Sequence, residues 1–181
     1  MILEHAVYNW YALYAKPNSE KSILKKLVAN NIECYLPLKK TLRQWTDRKK
    51  WIEEPLFRCY LFVRCSNIEY FEVLKIKGAK HFVGNGNQPQ PIPEKQMENI
   101  KALIEQAERE VEVSYENIKK GTKAEVLIGP LKGIKGEIVR LKGRSRLVIR
   151  LISMGVCLHV DIAKDEIKPI VNKKSEKILN Q

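Results

Sequence analysis

Gly129-Pro130-Leu131-Lys132-Gly133-Ile134-Lys135-Gly136 is a glycine-rich loop between apolar, strand-like segments. Glycine tolerates positive φ angles and lets two backbones approach closely, so glycines at positions 129, 133 and 136 suit a sharp connection between two short strands. The loop lies within a β-rich region that runs from Gly121 to Ile162. We therefore expect a small β domain in the C-terminal part of the chain.

The segments around this loop alternate between apolar runs and turn residues. Strands are predicted at 123–128, 136–141, 146–152, 156–162 and 167–171. Gly143 and Gly155 suit the turns between them. Such strands fit a small, SH3-like barrel with five strands, which its own side chains fill and which leaves no pocket for catalysis. The predicted interior consists of Val126, Ile128, Ile138, Leu147, Ile149 and Val160.

The N-terminal part mixes strand and helix patterns. Residues 8–15 predict an aromatic strand, and a helix with Ser19 as its N-cap follows. Further strands are predicted at Cys34–Leu38 and Leu56–Cys65, and a short one at His81–Val83.

Two more helices complete this part. One precedes Gly78 and should bury Phe71 and Leu74, with Val73 as a further candidate, and the other begins at Pro93. The order predicts an α+β fold: an N-terminal α/β sandwich with a mainly antiparallel four-stranded sheet and three helices, followed by the small SH3-like β-barrel.

Residues Leu42–Ile52 predict an exposed hairpin with its turn at 46–49 and with Trp45 and Trp51 paired across it. The segment carries many basic side chains. Two interpretations stay open for it: a solvated loop, or a basic finger that touches nucleic acid.

Charge narrows the class of partner. The 181 residues carry a formal net charge of +12, and 44% of them are hydrophobic. An excess of basic residues of this size favours a polyanionic partner, either nucleic acid or the acidic surface of a large assembly. No apolar run approaches the roughly 18–20 residues of a membrane-spanning helix, and the N-terminus lacks a signal-peptide pattern. We expect a cytoplasmic protein with no membrane partner.

The residues that usually perform chemistry are scattered. The three histidines are isolated in the sequence, and no P-loop or G-x-G-x-x-G pattern is present. Of the four cysteines, none forms a C-x-x-C pair, and free thiols in a reducing compartment are expected. We therefore predict no catalytic residues, no metal site and no cofactor.

An ordered set of short motifs resembles a known family. Trp10 to Lys16 (WYALYAK), Cys34 to Pro37 (CYLP), Glu54 to Val63 (EPLFRCYLFV) and His81 to Gly84 (HFVG) occur at the spacing of the NusG N-terminal domain. The glycine-rich loop resembles a KOW motif, so the resemblance covers roughly residues 8–170. Within the family, EPLF followed by YLFV is similar to the specialised RfaH-like paralogues and to the UpxY-type antiterminators of surface-polysaccharide operons.

The resemblance implies two surfaces on the N-terminal domain. In relatives, aromatic residues grip the clamp helices of the largest subunit of RNA polymerase; the matching residues here are Tyr14, Phe57, Tyr60, Phe62 and Phe82. From the sequence alone they could equally be core residues. Basic residues are expected to approach non-template DNA or nascent RNA, or else only to aid solubility: Lys16, Lys25, Lys26, Arg43, Lys75 and Lys77.

On the second domain, the resemblance implies that the KOW loop is formed by Gly129, Pro130, Gly133 and Gly136. Met154 stands where housekeeping relatives carry an aromatic residue that contacts a small-subunit ribosomal protein or Rho. The predicted domains are 8–107 for the NusG-like domain, 108–118 for a linker, 119–171 for the KOW barrel and 172–181 for a frayed tail.

The function implied is that of a non-catalytic regulator of transcription elongation and antitermination. It would bind RNA polymerase and suppress pausing or termination, at specific operons such as surface-polysaccharide loci. The alternative is a ribosome- or RNA-binding KOW protein.

Overall fold

The computed structural model describes residues 6–44, 48–85, 88–107, 109–115 and 118–170. It divides into two compact units, Met1–Met97 and Glu98–Gln181. The fold is mixed α+β, as predicted, with few helices and several antiparallel sheets. The predicted domain limits stay a prediction, and the expected frayed tail at 172–181 lies outside the described residues.

Unit 1 is built on a four-stranded antiparallel sheet with the strand order β2-β5-β1-β6. Its elements are β1 (Asn9–Ala15), α1 (Glu20–Ala29), β2 (Glu33–Tyr35), β3 (Leu38–Gln44), β4 (Lys49–Pro55), β5 (Tyr60–Cys65), α2 (Tyr70–Lys75), β6 (Ala79–Phe82), β7 (Gly84–Asn85), β8 (Gln88–Pro89) and the start of α3 (Glu94–Gln106).

The central strands are apolar on both faces, and the two faces differ in what they contact. Leu13 and Leu61 lie on the face that forms a common core with Ile23 and Leu27 of α1. Successive side chains of a strand point to opposite faces, so Ala12 and Phe62 lie on the other face. Both are fully buried there as well.

Helix α1 begins where its sequence predicts. Ser19 is the N-cap, although its side chain makes no capping hydrogen bond, and Asn30 is the C-cap. Asn31 follows with a φ of 57°, a left-handed conformation that asparagine tolerates better than most residues.

Helix α2 corrects one prediction. Phe71 was expected to be buried, but it is 67% exposed, and Val73 is the fully buried residue of this helix. The buried face consists of Tyr70, Val73 and Leu74, at the i, i+3 and i+4 spacing of a helix, and the ring of Tyr70 stacks on Phe82 with centroids 4.8 Å apart. Phe71 lies next to Tyr70 in the sequence and therefore falls on the solvent side of the helix.

The predicted hairpin is present as β3 and β4, which form a separate two-stranded sheet. The register pairs Leu42 with Trp51 and Arg43 with Lys50. The expected Trp45–Trp51 pair cannot be placed, because Trp45 lies outside the described residues.

Unit 2 contains a six-stranded antiparallel sheet with the order β14-β10-β11-β12-β13-β9. Its strands are β9 (Glu112–Ser114), β10 (Thr122–Val126), β11 (Lys135–Leu141), β12 (Arg144–Leu151), β13 (Val156–Asp161) and β14 (Ile167–Pro169). All five predicted strands have counterparts.

Two features of unit 2 were not foreseen. Strand β9 lies in the stretch expected to be a linker and pairs with the edge of β13. Ile128, expected inside the barrel, lies beyond the end of β10 and is exposed. The glycine-rich loop begins earlier than the apolar pattern suggested, so the strand ends at Val126.

Candidate binding surfaces

Tyr14 and Tyr60 form a half-buried aromatic pair where β1 and β5 meet the end of the sheet. They are register partners, and their ring centroids lie 5.2 Å apart. The ring of His81, on β6, lies 5.1 Å from that of Tyr14 and is exposed. We call Tyr14, Tyr60 and His81 the aromatic surface. Aromatic side chains of this kind are frequent anchors in protein interfaces.

Two of the five predicted polymerase-binding residues are buried on the same side of the sheet as Tyr14 and Tyr60. Phe57 and Phe62 are both 0% exposed, with ring centroids 5.7 Å apart in an edge-to-face arrangement. Phe62 is also stacked on Tyr35, 6.4 Å away. These phenylalanines can support the tyrosines, but they present no ring to a partner in this structure.

Phe82 is not part of the same cluster. Its side chain lies in the core on the α1 face of the sheet, where its ring contacts Tyr11 and Tyr70. The register explains this, because Phe82 pairs with Leu13 while His81 pairs with Tyr14. The sequence placed Phe82 with the other aromatics, and the strand alternation separates them.

A strained turn holds Tyr60 in place. Cys59 has a φ of 66°, which is left-handed and costly for a residue other than glycine. Its carbonyl accepts a hydrogen bond from the amide of Ala15 at 2.8 Å, and its own amide donates to Glu20 Oε1 at 2.8 Å. These bonds join the turn to β1 and to the start of α1.

Glu20 is the residue of this site that the sequence did not reveal. It is 4% exposed, which is rare for a carboxylate unless it is paired or hydrogen-bonded. The only signal was an acidic residue in the first turn of a helix, which reads as an ordinary favourable interaction with the helix dipole. Burial, followed by the charge of Glu20, raises the pKa of the neighbouring Cys59 thiol.

A groove of about 550 Å³ lies beside this turn, between the start of α1 and the base of the hairpin. Lys21 Nζ donates to the backbone oxygen of Glu53 at 2.8 Å, and Arg43 forms an ion pair with Glu54. Arg43, predicted to bind nucleic acid, is therefore already matched with a carboxylate. The groove is lined by charges of both signs, so it shows no preference for an anion.

The predicted basic residues lie in three places. Lys16 precedes α1, while Lys25 and Lys26 lie on its exposed side. Lys75 ends α2 and forms an exposed pair with Glu72 at 2.6 Å. Lys77 follows it, next to Gly78, whose φ of 104° makes the turn.

The glycine-rich loop has the backbone that its sequence predicts. Gly129 and Gly133 have φ angles of 81° and 84°. Gly136 allows two strands to approach closely, because a Cβ atom there would lie 2.7 Å from the carbonyl oxygen of Val148 on β12. Pro130 is exposed at the tip of the loop. Gly129, Pro130 and Gly133 thus lie in the connection from β10 to β11, whereas Gly136 lies within β11 and pairs with Ala124.

Met154 lies in a short 3₁₀ turn, Ile152–Met154, which Gly155 closes with a φ of 65°. Met154 is half-buried, whereas Ile152 is the strongly exposed apolar residue of the turn. The sequence singled out Met154, and the structure adds Ile152 as the larger apolar surface at this turn.

Two arginines organise the strands of unit 2. Arg150 donates to Glu137 Oε2 at 2.9 Å and to the backbone oxygens of Ile118 and Lys119. The hydrogen bond from Arg150 lowers the pKa of Glu137. Arg146 pairs with Glu112 of β9 at 3.0 Å and with Asp161 at 2.8 Å.

Arg146 also meets a buried histidine. Its Nη1 lies 2.8 Å from Nδ1 of His159, which fits a neutral ring that accepts at this nitrogen. Burial, together with the charge of Arg146, lowers the pKa of His159. His159 therefore belongs to the packing of β13, β12 and β9, and among the described residues no group of three or more potential metal ligands occurs.

The cysteines are free thiols. All four lie in the described ranges, and none is paired in a disulfide. Burial raises the pKa of Cys65 to about 12.

Among the helices that the structure describes, none is long and apolar enough to cross a membrane.

Comparison with known proteins identifies the family. The family model described as "Transcription termination factor nusG" matches residues 8–101. Thermotoga maritima NusG, solved in a study of its domain interaction, is 21% identical with a TM-score of 0.52, and the match covers 91% of this chain and 98% of that one. That likeness bears on the fold alone. No curated protein sequence matches the chain.

Two crystal structures of the MjSpt4:Spt5 complex, conformations A and B, also align over 90% of this chain. They cover 99% and 97% of the other chains, at 14% and 17% identity, and their TM-scores of 0.29 and 0.28 are too low to support an argument. The family model matches more than half of the 181 residues and spans the sheet that carries the aromatic surface. This chain belongs to the NusG family.

Proposed function

We propose that this protein is a non-catalytic regulator of transcription elongation that binds RNA polymerase through the aromatic surface. The single observation that carries the proposal is the half-buried Tyr14–Tyr60 pair, within the region that the family model matches. The partner is the pair of clamp helices on the largest subunit, and the protein acts in the cytoplasm, where that enzyme works. By binding one polymerase conformation better than another, it would suppress pausing or termination.

The buried phenylalanines have a supporting role in this proposal. Phe57 and Phe62 hold the strand ends on which the tyrosines stand, and the Cys59 turn fixes the position of Tyr60. A docking surface gains affinity when its anchor residues are held in place before binding, because less rotamer freedom is then lost. Tyr14 and Tyr60 are the expected contacts.

We further propose that this is a specialised paralogue, similar to RfaH and UpxY proteins, that acts as an antiterminator at particular operons. The support is local: Arg58-Cys59-Tyr60 stands where housekeeping relatives typically have Pro-Gly-Tyr, and Cys59 has a left-handed backbone of the kind that glycine favours. Exposed lysines on and before α1 would contact DNA phosphates near the bound polymerase.

For unit 2 we propose a KOW barrel, carried by the Gly129–Gly136 connection. Its partner would be a small-subunit ribosomal protein or Rho, bound at the 152–155 turn. Ile152 and Met154 provide the apolar contacts there. Methionine is flexible enough to keep such a contact where relatives have an aromatic ring.

The test is a binding titration of the full chain against core RNA polymerase. The variant Tyr14→Ala/Tyr60→Ala removes the half-buried rings without opening the fully buried core, and we expect it to lose binding at least tenfold. Phe71→Ala is the matched control, because it removes an equally large aromatic ring that is exposed on α2, and it should bind like the wild type. If the double variant binds polymerase as tightly as Phe71→Ala and the wild type do, the assigned surface is rejected.

A ribosome- or RNA-binding role is the second candidate, favoured by the net charge of +12 and the glycine-rich loop. It predicts tight binding to free RNA and no affinity for core polymerase. The same titration, repeated with RNA alone, separates the two functions.

A further inference from the structure

We propose that the β3–β4 hairpin binds single-stranded nucleic acid by stacking a base on Trp51. The surface consists of Lys40, Leu42, Lys49 and Trp51, which we call the hairpin patch. The inference deepens the proposed function, since it names a nucleic-acid contact for a transcription regulator. It can nevertheless be tested without polymerase.

The strand register places the patch residues on one face of the hairpin. Leu42 pairs with Trp51 across the two strands. Residues two apart on a strand point the same way, so Lys40 and Lys49 flank this pair on the same face. The register also sets Gln44 opposite Lys49 and Glu53 opposite Lys40 on this face. The patch is therefore an apolar centre with Lys49 on one side and Lys40, facing Glu53, on the other.

The apolar centre is exposed to solvent. Trp51 is 65% exposed and Leu42 is 46% exposed. An isolated exposed leucine is ordinary, but an exposed tryptophan beside it makes a continuous apolar area that usually marks a binding site. The hairpin also forms its own sheet of two strands, apart from the four-stranded sheet of unit 1.

The charge around the patch selects the partner. Residues 38–44 and 48–55 contain six basic side chains and two acidic ones. Of the two, Glu54 is already paired with Arg43, and Glu53 lies opposite Lys40 on the face of the patch, which leaves Lys49 as the cation without an acidic register partner there. Lysine is depleted from the centres of protein–protein interfaces. A tryptophan face bordered by lysines is instead the pattern of proteins that stack bases and neutralise the phosphates between them.

Stacking on Trp51 favours single-stranded over duplex nucleic acid as the ligand. In a duplex each base is covered above and below by its neighbours, so an aromatic side chain that stands on a sheet cannot reach a base face without unstacking it. An unpaired strand offers its base faces directly. Leu42 would then cover the edge of the same base or the next one.

The experiment uses the full chain with the background substitution Trp45→Phe, which leaves two tryptophans. Trp10 is fully buried, so the exposed Trp51 is the ring that responds to quenchers. The probe is an unpaired oligodeoxynucleotide of mixed sequence, with its duplex form as a second probe. We expect the single strand to quench the fluorescence of Trp51 and to bind more tightly than the duplex at equal salt.

Variants separate stacking from charge. Trp51→Ala should lower the affinity for the single strand about tenfold or more, and Trp51→Phe should restore most of it because a ring is retained. Lys49→Gln should weaken binding and reduce its salt dependence. Phe71→Ala removes an exposed ring elsewhere in unit 1 and should change nothing.

Two results would overturn the inference. One is a Trp51→Ala protein that binds the single strand like the wild type. The other is Trp51 fluorescence that the oligonucleotide leaves unchanged at saturation. If Trp51-dependent oligonucleotide binding is found while core polymerase is not bound at all, the hairpin inference stands and the proposed function fails.

Discussion

At the scale of single residues, the turn before β5 holds a left-handed conformation on a residue that does not favour it. Cys59 holds a φ of 66°, stabilised by hydrogen bonds at both its amide and its carbonyl. A left-handed residue with a Cβ atom costs roughly 1–2 kcal/mol. The fold supports that cost through Glu20 and Ala15, which fix the turn from two sides.

We expect Cys59→Gly to raise the free energy of unfolding by about 0.5–1 kcal/mol. Glycine removes the steric cost of the left-handed backbone, and this gain exceeds the added entropy of the unfolded chain. Urea denaturation of the full chain measures the change.

Cys34→Gly provides the comparison for this substitution. Cys34 lies in strand β2, where glycine is unfavourable, so that variant should lose about 1 kcal/mol. If both variants are destabilised to a similar degree, the backbone of Cys59 is not under the strain that we assign to it.

The residue scale is also where the sequence was least able to predict the site. Tyr14 and Tyr60 were placed together by the family resemblance, and the register of β1 and β5 pairs them. Phe82 could not be separated from them, since the register of β6 against β1 depends on contacts distant in sequence. Glu20 gave no sign of burial, because its partner is an amide 39 residues away.

At the scale of elements, strand positions were predictable and strand neighbours were not. The five strands from β10 to β14 were foreseen from apolar runs and glycines, which are local signals. Strand β9 was missed because Glu112–Ser114 is short and polar, and only its pairing with β13 and the contact of Glu112 with Arg146 make it a strand. Phe71 was misplaced for a related reason, since the face that α2 buries is set by the contact of Tyr70 with Phe82, which is distant in sequence.

The contact between β12, β13 and β9 predicts a dependence on pH. The folded protein disfavours a proton on His159, because the ring is buried and faces Arg146. The unfolded chain therefore binds this proton more readily, and the free energy of unfolding falls as the pH drops below about 6.5. Between pH 7.5 and 5.5 the loss from this one group is up to about 1.4 kcal/mol.

Urea denaturation at pH 7.5 and 5.5 measures this loss, and His159→Gln should reduce it. The charged groups that face the ring are Arg146, Glu112, Asp161 and Lys142. Hydrogen bonds from Arg146 and Arg144 lower the pKa values of Glu112 and Asp161. The contribution of these carboxylates to the free energy of unfolding is therefore lost only at more acidic pH. His81→Gln, which removes an exposed histidine, is the control. An unchanged pH dependence in His159→Gln would reject the assignment.

At the scale of the whole molecule, the two units divide the proposed work. Unit 1 carries the aromatic surface and the hairpin patch, while unit 2 carries the glycine-rich connection and the 152–155 turn. The family model matches residues 8–101, so unit 2 is interpreted from its own residues. The net charge of +12 belongs to the chain as a whole and attracts any polyanion.

Because of that charge, the salt dependence of affinity distinguishes binding to polymerase through the aromatic surface from electrostatic attraction to any polyanion. Binding to free duplex DNA through about three phosphate contacts should weaken about 40-fold between 50 and 200 mM salt, because the released counterions are then less diluted. Binding to core polymerase through Tyr14 and Tyr60 should weaken far less, since an apolar contact releases no counterions. Titrations at both salt concentrations measure the two slopes. Lys25→Gln/Lys26→Gln should reduce the salt dependence of the DNA affinity by the amount expected for about two phosphate contacts. If the affinity for polymerase depends on salt as steeply as the affinity for DNA, charge rather than the aromatic surface holds the complex together.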